Sequence, residues 1–154
     1  MKKLIFIICA IFAYVNTTKA QYIISTSDLK GTKWQTPRQY DRQDKGYYEY
    51  TAETKIRHLK NGNTSEYPYY LSKNIPTVFD YTKVGKSTEG NYYVEFNPSL
   101  CVIYCYSIQY FSKTDGKMVL KPVDADISVT YIMIPSNKPR NQSANEPVLD
   151  PSIW

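Results

Sequence analysis

The chain has 154 residues, with 19 Lys and Arg against 14 Asp and Glu for a net charge of +5, one histidine and three cysteines. That length suits one domain able to bury a real core. The basic residues are scattered, which argues against a nucleic-acid partner, and a lone histidine leaves little room for a catalytic or metal constellation.

Residues 1–20 have the three-part order of a secretory signal. Lys2 and Lys3 form its basic start, residues 4–15 are almost wholly apolar, and Thr18 and Ala20 place small residues where a signal peptidase cuts. The apolar run is shorter than the ~20 residues that span a bilayer, so cleavage is expected, with Gln21 at or near the mature start. Ile8 before Cys9 is too large for lipoprotein processing. Lys2, Lys3 and Lys19 leave with this segment, so 16 basic residues remain against 14 acids, a net of +2. The expectation is an exported protein, periplasmic or extracellular, with no membrane span in the mature chain.

Residues 21–135 read as one β domain. Fifteen of the 16 tyrosines lie outside the leader, and Tyr, Val, Ile, Phe and Thr suit a pleated, half-buried surface. No dozen-residue segment carries an apolar stripe at helical spacing without Gly or Pro nearby. Asn61-Gly62 predicts a two-residue I′ hairpin turn joining residues 54–60 to 64–72, and Asp115-Gly116 a second joining 102–111 to 117–123. Gly85, Gly90-Asn91 and Asn97-Pro98 mark further breaks. Pro68, inside an apparent strand, predicts an edge or a bulge.

Alternation sorts the faces. Tyr92, Val94 and Phe96 oppose Tyr93 and Glu95; Met118 and Leu120 oppose Lys117, Val119 and Lys121; Ile127, Val129, Tyr131 and Met133 oppose Ser128 and Thr130. Several short antiparallel strands of this kind predict an all-β fold, a small up-and-down barrel of about eight strands, with a β-sandwich as the alternative. Residues 136–154, dominated by Asn, Ser and Pro, predict a flexible tail; Val148, Leu149, Ile153 and Trp154 give it an apolar side.

Leu29-Lys30-Gly31-Thr32-Lys33-Trp34 resembles the opening of the lipocalins, in which a glycine and a tryptophan begin the first strand and the tryptophan plugs the barrel base. Here two residues separate Gly31 from Trp34, where the family has one. Tyr106-Ser107-Ile108, Phe111-Ser112-Lys113-Thr114 and Met118-Val119-Leu120 are similar to the penultimate hairpin of small secreted bacterial lipocalin-like domains. Asp80-Tyr81, preceded by Phe79 in place of threonine, is similar to the second lipocalin motif. The resemblance implies a closed barrel; it does not name a ligand.

No chemistry-bearing constellation stands out. His58 shares a strand face with Thr54 and Ile56, and nothing in the sequence places a thiol beside it. Cys101 and Cys105 are about 13 Å apart along an extended strand, too far to form a disulfide with each other. Asp124 and Asp126 flank Ala125 between two strands, Glu49 and Glu53 lie on a tyrosine-rich segment, and there is no phosphate loop or dinucleotide fingerprint. No catalytic residue, metal or cofactor is expected, and the protein is not read as an enzyme. Tyrosines give large apolar faces with polar tips. Pointing inward they suit a small apolar or amphipathic ligand. Pointing outward they suit an envelope protein or a glycan, in an interaction or structural module. The residues expected to line or plug the interior are Trp34, Tyr48, Tyr50, Ile56, Tyr69, Phe79, Tyr92, Val94, Phe96, Ile108, Met118, Leu120, Val129 and Tyr131.

Overall fold

Both predicted hairpins form where the Asn-Gly and Asp-Gly pairs place them, but with a different turn. The computed structural model describes residues 22–38 and 46–136, so the expected leader and nearly all of the expected tail lie outside the described residues. At Asn61-Gly62 only Gly62 has a positive φ, +88°. Gly62 N donates to Leu59 O (3.0 Å), and Leu59 N donates to Asn63 O (2.8 Å). This is a type I turn closed by a left-handed glycine rather than the I′ turn. It needs one positive φ instead of two and still matches the strand twist.

The elements are β1 (Ile24–Ser25), α1 (Thr26–Leu29), β2 (Lys33–Gln35), β3 (Tyr47–Tyr50), β4 (Thr54–His58), β5 (Thr64–Ser72), β6 (Glu89–Gly90), β7 (Tyr92–Asn97), β8 (Val102–Ser112), β9 (Lys117–Pro122) and β10 (Val129–Ile134). Eight of the strands close into an antiparallel barrel in the order β10-β2-β3-β4-β5-β7-β8-β9, while β1 and β6 pair separately beside it. This is the small up-and-down barrel, not the sandwich. Three residue pairs close the ring, Ile132 with Gln35, Met133 with Trp34, and Ile134 with Lys33.

Up-and-down order puts α1 and the turns at 51–53 and 113–116 at one end, the base. The turns at 59–63, 98–101 and 123–128 form the opposite rim. The base is filled. Leu29, Trp34, Tyr69 and Ile108 are fully buried, and Tyr50, Leu71, Tyr93, Met118 and Leu120 nearly so. Each such side chain contributes about 1.5–3 kcal/mol of burial. Trp34 Nε1 donates to Thr32 Oγ1 (2.7 Å), which satisfies its polar edge. A register shift between Ile108 and Tyr110 brings Phe111 opposite Met118 and against Trp34, at a ring separation of 5.9 Å.

Pro68 behaves as a one-sided edge. Tyr69 N bonds toward β4, to Glu53 O at 3.1 Å, so position 68 faces β7. There the β5–β7 ladder ends at Tyr69 and Glu95, because proline has no N–H for the next rung.

Four expected lining residues lie on the opposite face. Tyr70 pairs with Val94 and Ser72 with Tyr92, while the core residues Leu71 and Tyr93 pair with each other. Tyr92, Val94 and Phe96 therefore point outward, and Tyr93 and Glu95 inward. Ile56 likewise points outward, between the inward Lys55 and Arg57. Phe79 belongs to no strand. It sits in the 73–88 connection, which packs on the outer wall, with ring separations of 5.2 Å to Tyr70 and 5.5 Å to Phe96. That cover lets an apolar triad face out and remain partly or fully buried. Ile127, expected to continue the last strand, is exposed and precedes β10.

Among the described glycines the tightest approach is at Gly90 of β6, where an added Cβ would lie 2.0 Å from Ser72 O of the wall strand β5. Gly90→Ala is expected to cost about 3 kcal/mol or more, since backbone must move on both sides. Urea denaturation followed by circular dichroism measures it; an unchanged midpoint refutes the tight contact.

Candidate functional site

The middle of the interior is polar and aromatic. Lys55 on β4 and Glu95 on β7 both face inward, two strands apart, with β5 between them. Their side chains are only 8% and 6% exposed, and Lys55 Nζ bonds Glu95 Oε2. Tyr93 OH donates to the same oxygen at 2.9 Å. Lys55 Nζ also lies over three tyrosine rings, 5.1 Å from Tyr67, 5.3 Å from Tyr48 and 5.8 Å from Tyr93. The carboxylate and the negative ring faces together compensate the buried ammonium.

More tyrosines surround this pair. Tyr50 meets Tyr69 edge-on at 5.4 Å, Tyr48 meets Tyr131 at 5.7 Å, and Tyr106 lies 6.0 Å from Tyr93. Burial pushes the phenols of Tyr50 and Tyr93 well above the ordinary value of 10.0. It also raises those of Tyr48, Tyr106 and Tyr131, with the Glu95 charge adding to each. The cage is therefore a neutral hydrogen-bonding wall around one ion pair.

At the rim, β8 overhangs β9. Their pairing begins only at Tyr106 and Pro122, leaving a pocket of about 440 Å3 lined by Tyr104, Cys105, Tyr106, Asp124 and residues 75–77, among others. Its volume is typical of small-molecule sites, about 300–1,000 Å3. Tyr106 joins this pocket to the ionic centre. Cys105 carries a thiol raised to about 11, by burial and then by the Asp124 charge, so it stays protonated. A second hollow of about 650 Å3 lies near the ends of β2 and β10, lined by Lys33, Tyr47 and Ile134 among others.

His58 lies elsewhere, on the outer face of β4. Its ring stacks on Tyr47 at 4.2 Å, and Nε2 is 3.2 Å from Glu49 Oε2. Cys101 sits in the turn before β8, and both it and Cys105 are free thiols. Among the described residues no three His, Cys, Asp or Glu side chains are grouped to hold a metal ion.

Of the residues expected inside, Trp34, Tyr48, Tyr50, Tyr69, Ile108, Met118, Leu120, Val129 and Tyr131 share the inward face. Lys55, Tyr67, Tyr93, Glu95, Tyr104 and Tyr106 were not among them. The available signal was Lys55 and Glu95 themselves, opposite charges at tyrosine-rich positions within strand-forming runs. Comparison with protein-family models, curated proteins and solved structures finds no match.

Glu95→Gln leaves Lys55 buried without a counter-charge and is expected to cost about 3–5 kcal/mol. Replacing both residues by methionine should recover most of that loss. Equal urea midpoints for Glu95→Gln and the wild type would refute the pairing. The phenols give a pH dependence. Unfolded tyrosines lose their protons near pH 10 while the buried ones keep them, so this contribution is fully present below about pH 9 and is lost as pH rises. The slope is about 1.4 kcal/mol per pH unit for each buried phenol. Denaturation midpoints from pH 8 to 11.5, read beside tyrosinate absorbance, check it.

Proposed function

We propose that this protein is an exported, non-catalytic, lipocalin-like carrier of a small amphipathic molecule, taken at the rim of its barrel. The carrying observation is the asymmetry of the interior from base to rim; the hollow by Lys33, Tyr47 and Ile134 lies along outward-facing residues at the base end and does not enter it. The base is packed with large side chains, whereas the rim holds a pocket whose Tyr106 wall continues into a caged ion pair. A filled base confines the cargo to the rim half and favours a short molecule over a long acyl chain. Export rests on the order of residues 1–20. No described helix is long and apolar enough to cross a membrane. The outer wall carries Lys33, Glu49, Glu66 and Lys121, which suits water better than lipid.

A second reading, an envelope interaction module, draws on the outer aromatic patch. There Tyr81 is 59% and Val78 70% exposed beside Phe79 and Phe96.

A thermal-shift screen of residues 21–154 against short lipids, aromatic acids, alcohols and amines tests the carrier reading. A true cargo at about 100 times its Kd is expected to raise Tm by about 5 °C or more. Tyr106→Ala should abolish that shift. A screen in which no compound moves Tm refutes the reading.

A further inference from the structure

The rim pocket has a charge sign. Two phenols, Tyr104 and Tyr106, and an apolar wall that includes Ile75, Ile103 and Pro122 line it, with Asp124 as its only charged side chain. Asp124 is exposed and makes no ion pair with a described residue, whereas neighbouring Asp126 is held by Lys121 at 3.0 Å. The Asp124 charge reaches the pocket wall: after burial, it contributes to raising Cys105 and Tyr106. Deeper in, the Glu95 charge is already matched by Lys55. The pocket thus runs along the free edge of β8, with the two tyrosines on its inner side, apolar side chains on its outer side and one uncompensated carboxylate at its lip.

We infer that the rim pocket takes a small organic cation, an amine on an apolar body, with its ammonium between Asp124 and the rings of Tyr104 and Tyr106. An ammonium gains a charge-assisted hydrogen bond from the carboxylate and attraction from the ring faces. A neutral isostere gains neither. A carboxylate meets Asp124 with the same sign, and the nearest buried cation is engaged with Glu95. Arg57, the other inward cation, stands on β4 beside Tyr48 and outside this lining. The inference rests on the carrier reading and adds the charge of the cargo.

Three probes of one shape test it by calorimetric titration of residues 21–154: 4-phenylbutylamine, 4-phenylbutan-1-ol and 4-phenylbutanoate. The amine is expected to bind about fivefold tighter than either partner, the scale of one exposed charge interaction. Asp124→Asn should abolish that preference while leaving the Tm of the free protein unchanged. Equal affinities, or tightest binding of the carboxylate, overturn the cation assignment and leave the carrier reading standing. No binding by any probe, when another compound from the screen does raise Tm, overturns the rim pocket as an amine site. No binding in either experiment overturns both readings.

Discussion

An ammonium and a carboxylate meet inside this barrel, and their attraction dictates which way two of its strands face. A buried ion survives only with a close opposite charge and satisfied hydrogen bonds. Lys55 and Glu95 meet that condition only if β4 and β7 both turn their charged positions inward. The outward positions of β7 are then apolar, Tyr92, Val94 and Phe96, and must be shielded from water on the other side. The 73–88 connection supplies that shield with Phe79 and Tyr81. The internal pair and the external cover are thus parts of one arrangement.

Tyrosine is the residue that makes such an interior workable. Its ring face attracts the ammonium, its hydroxyl donates to the carboxylate, and its bulk fills a barrel of eight strands. Tyr93 does all three: it lies under Lys55 Nζ, bonds Glu95 Oε2 and packs on Tyr50 and Tyr69. Toward the base the same residue type is simply packing, as Tyr69 shows; toward the rim, Tyr104 and Tyr106 become the wall of a pocket. One composition therefore gives a filled end and a receptive end.

How far this was legible in the sequence differs from strand to strand. Alternation in β9 and β10 was read in the right sense because Met118, Leu120 and Tyr131 oppose polar neighbours, and Asn61-Gly62 and Asp115-Gly116 marked both hairpins. For β7 the same logic gave the wrong sense. A hydropathy pattern assumes that charge goes to water, and Glu95 finds its partner 40 residues away in sequence. Ile56 was misplaced for the same reason, since Lys55 beside it faces inward. Phe79 was misplaced because an aromatic residue in a connection can be buried on the outside of a barrel as well as within it. The rim pocket had no local signal, being assembled from two connections, the end of β9 and the overhang of β8.

Pro68 carries a further consequence for how the barrel meets other chains. Beyond the last rung with β7, the backbone groups of Thr64, Glu66 and position 68 on the β7 side have no rung in that ladder, a template onto which another chain's strand can add. The imide nitrogen withholds one donor from any such guest, and the charged Glu66 discourages an apolar one. Both features work against edge-to-edge pairing at this gap in the wall.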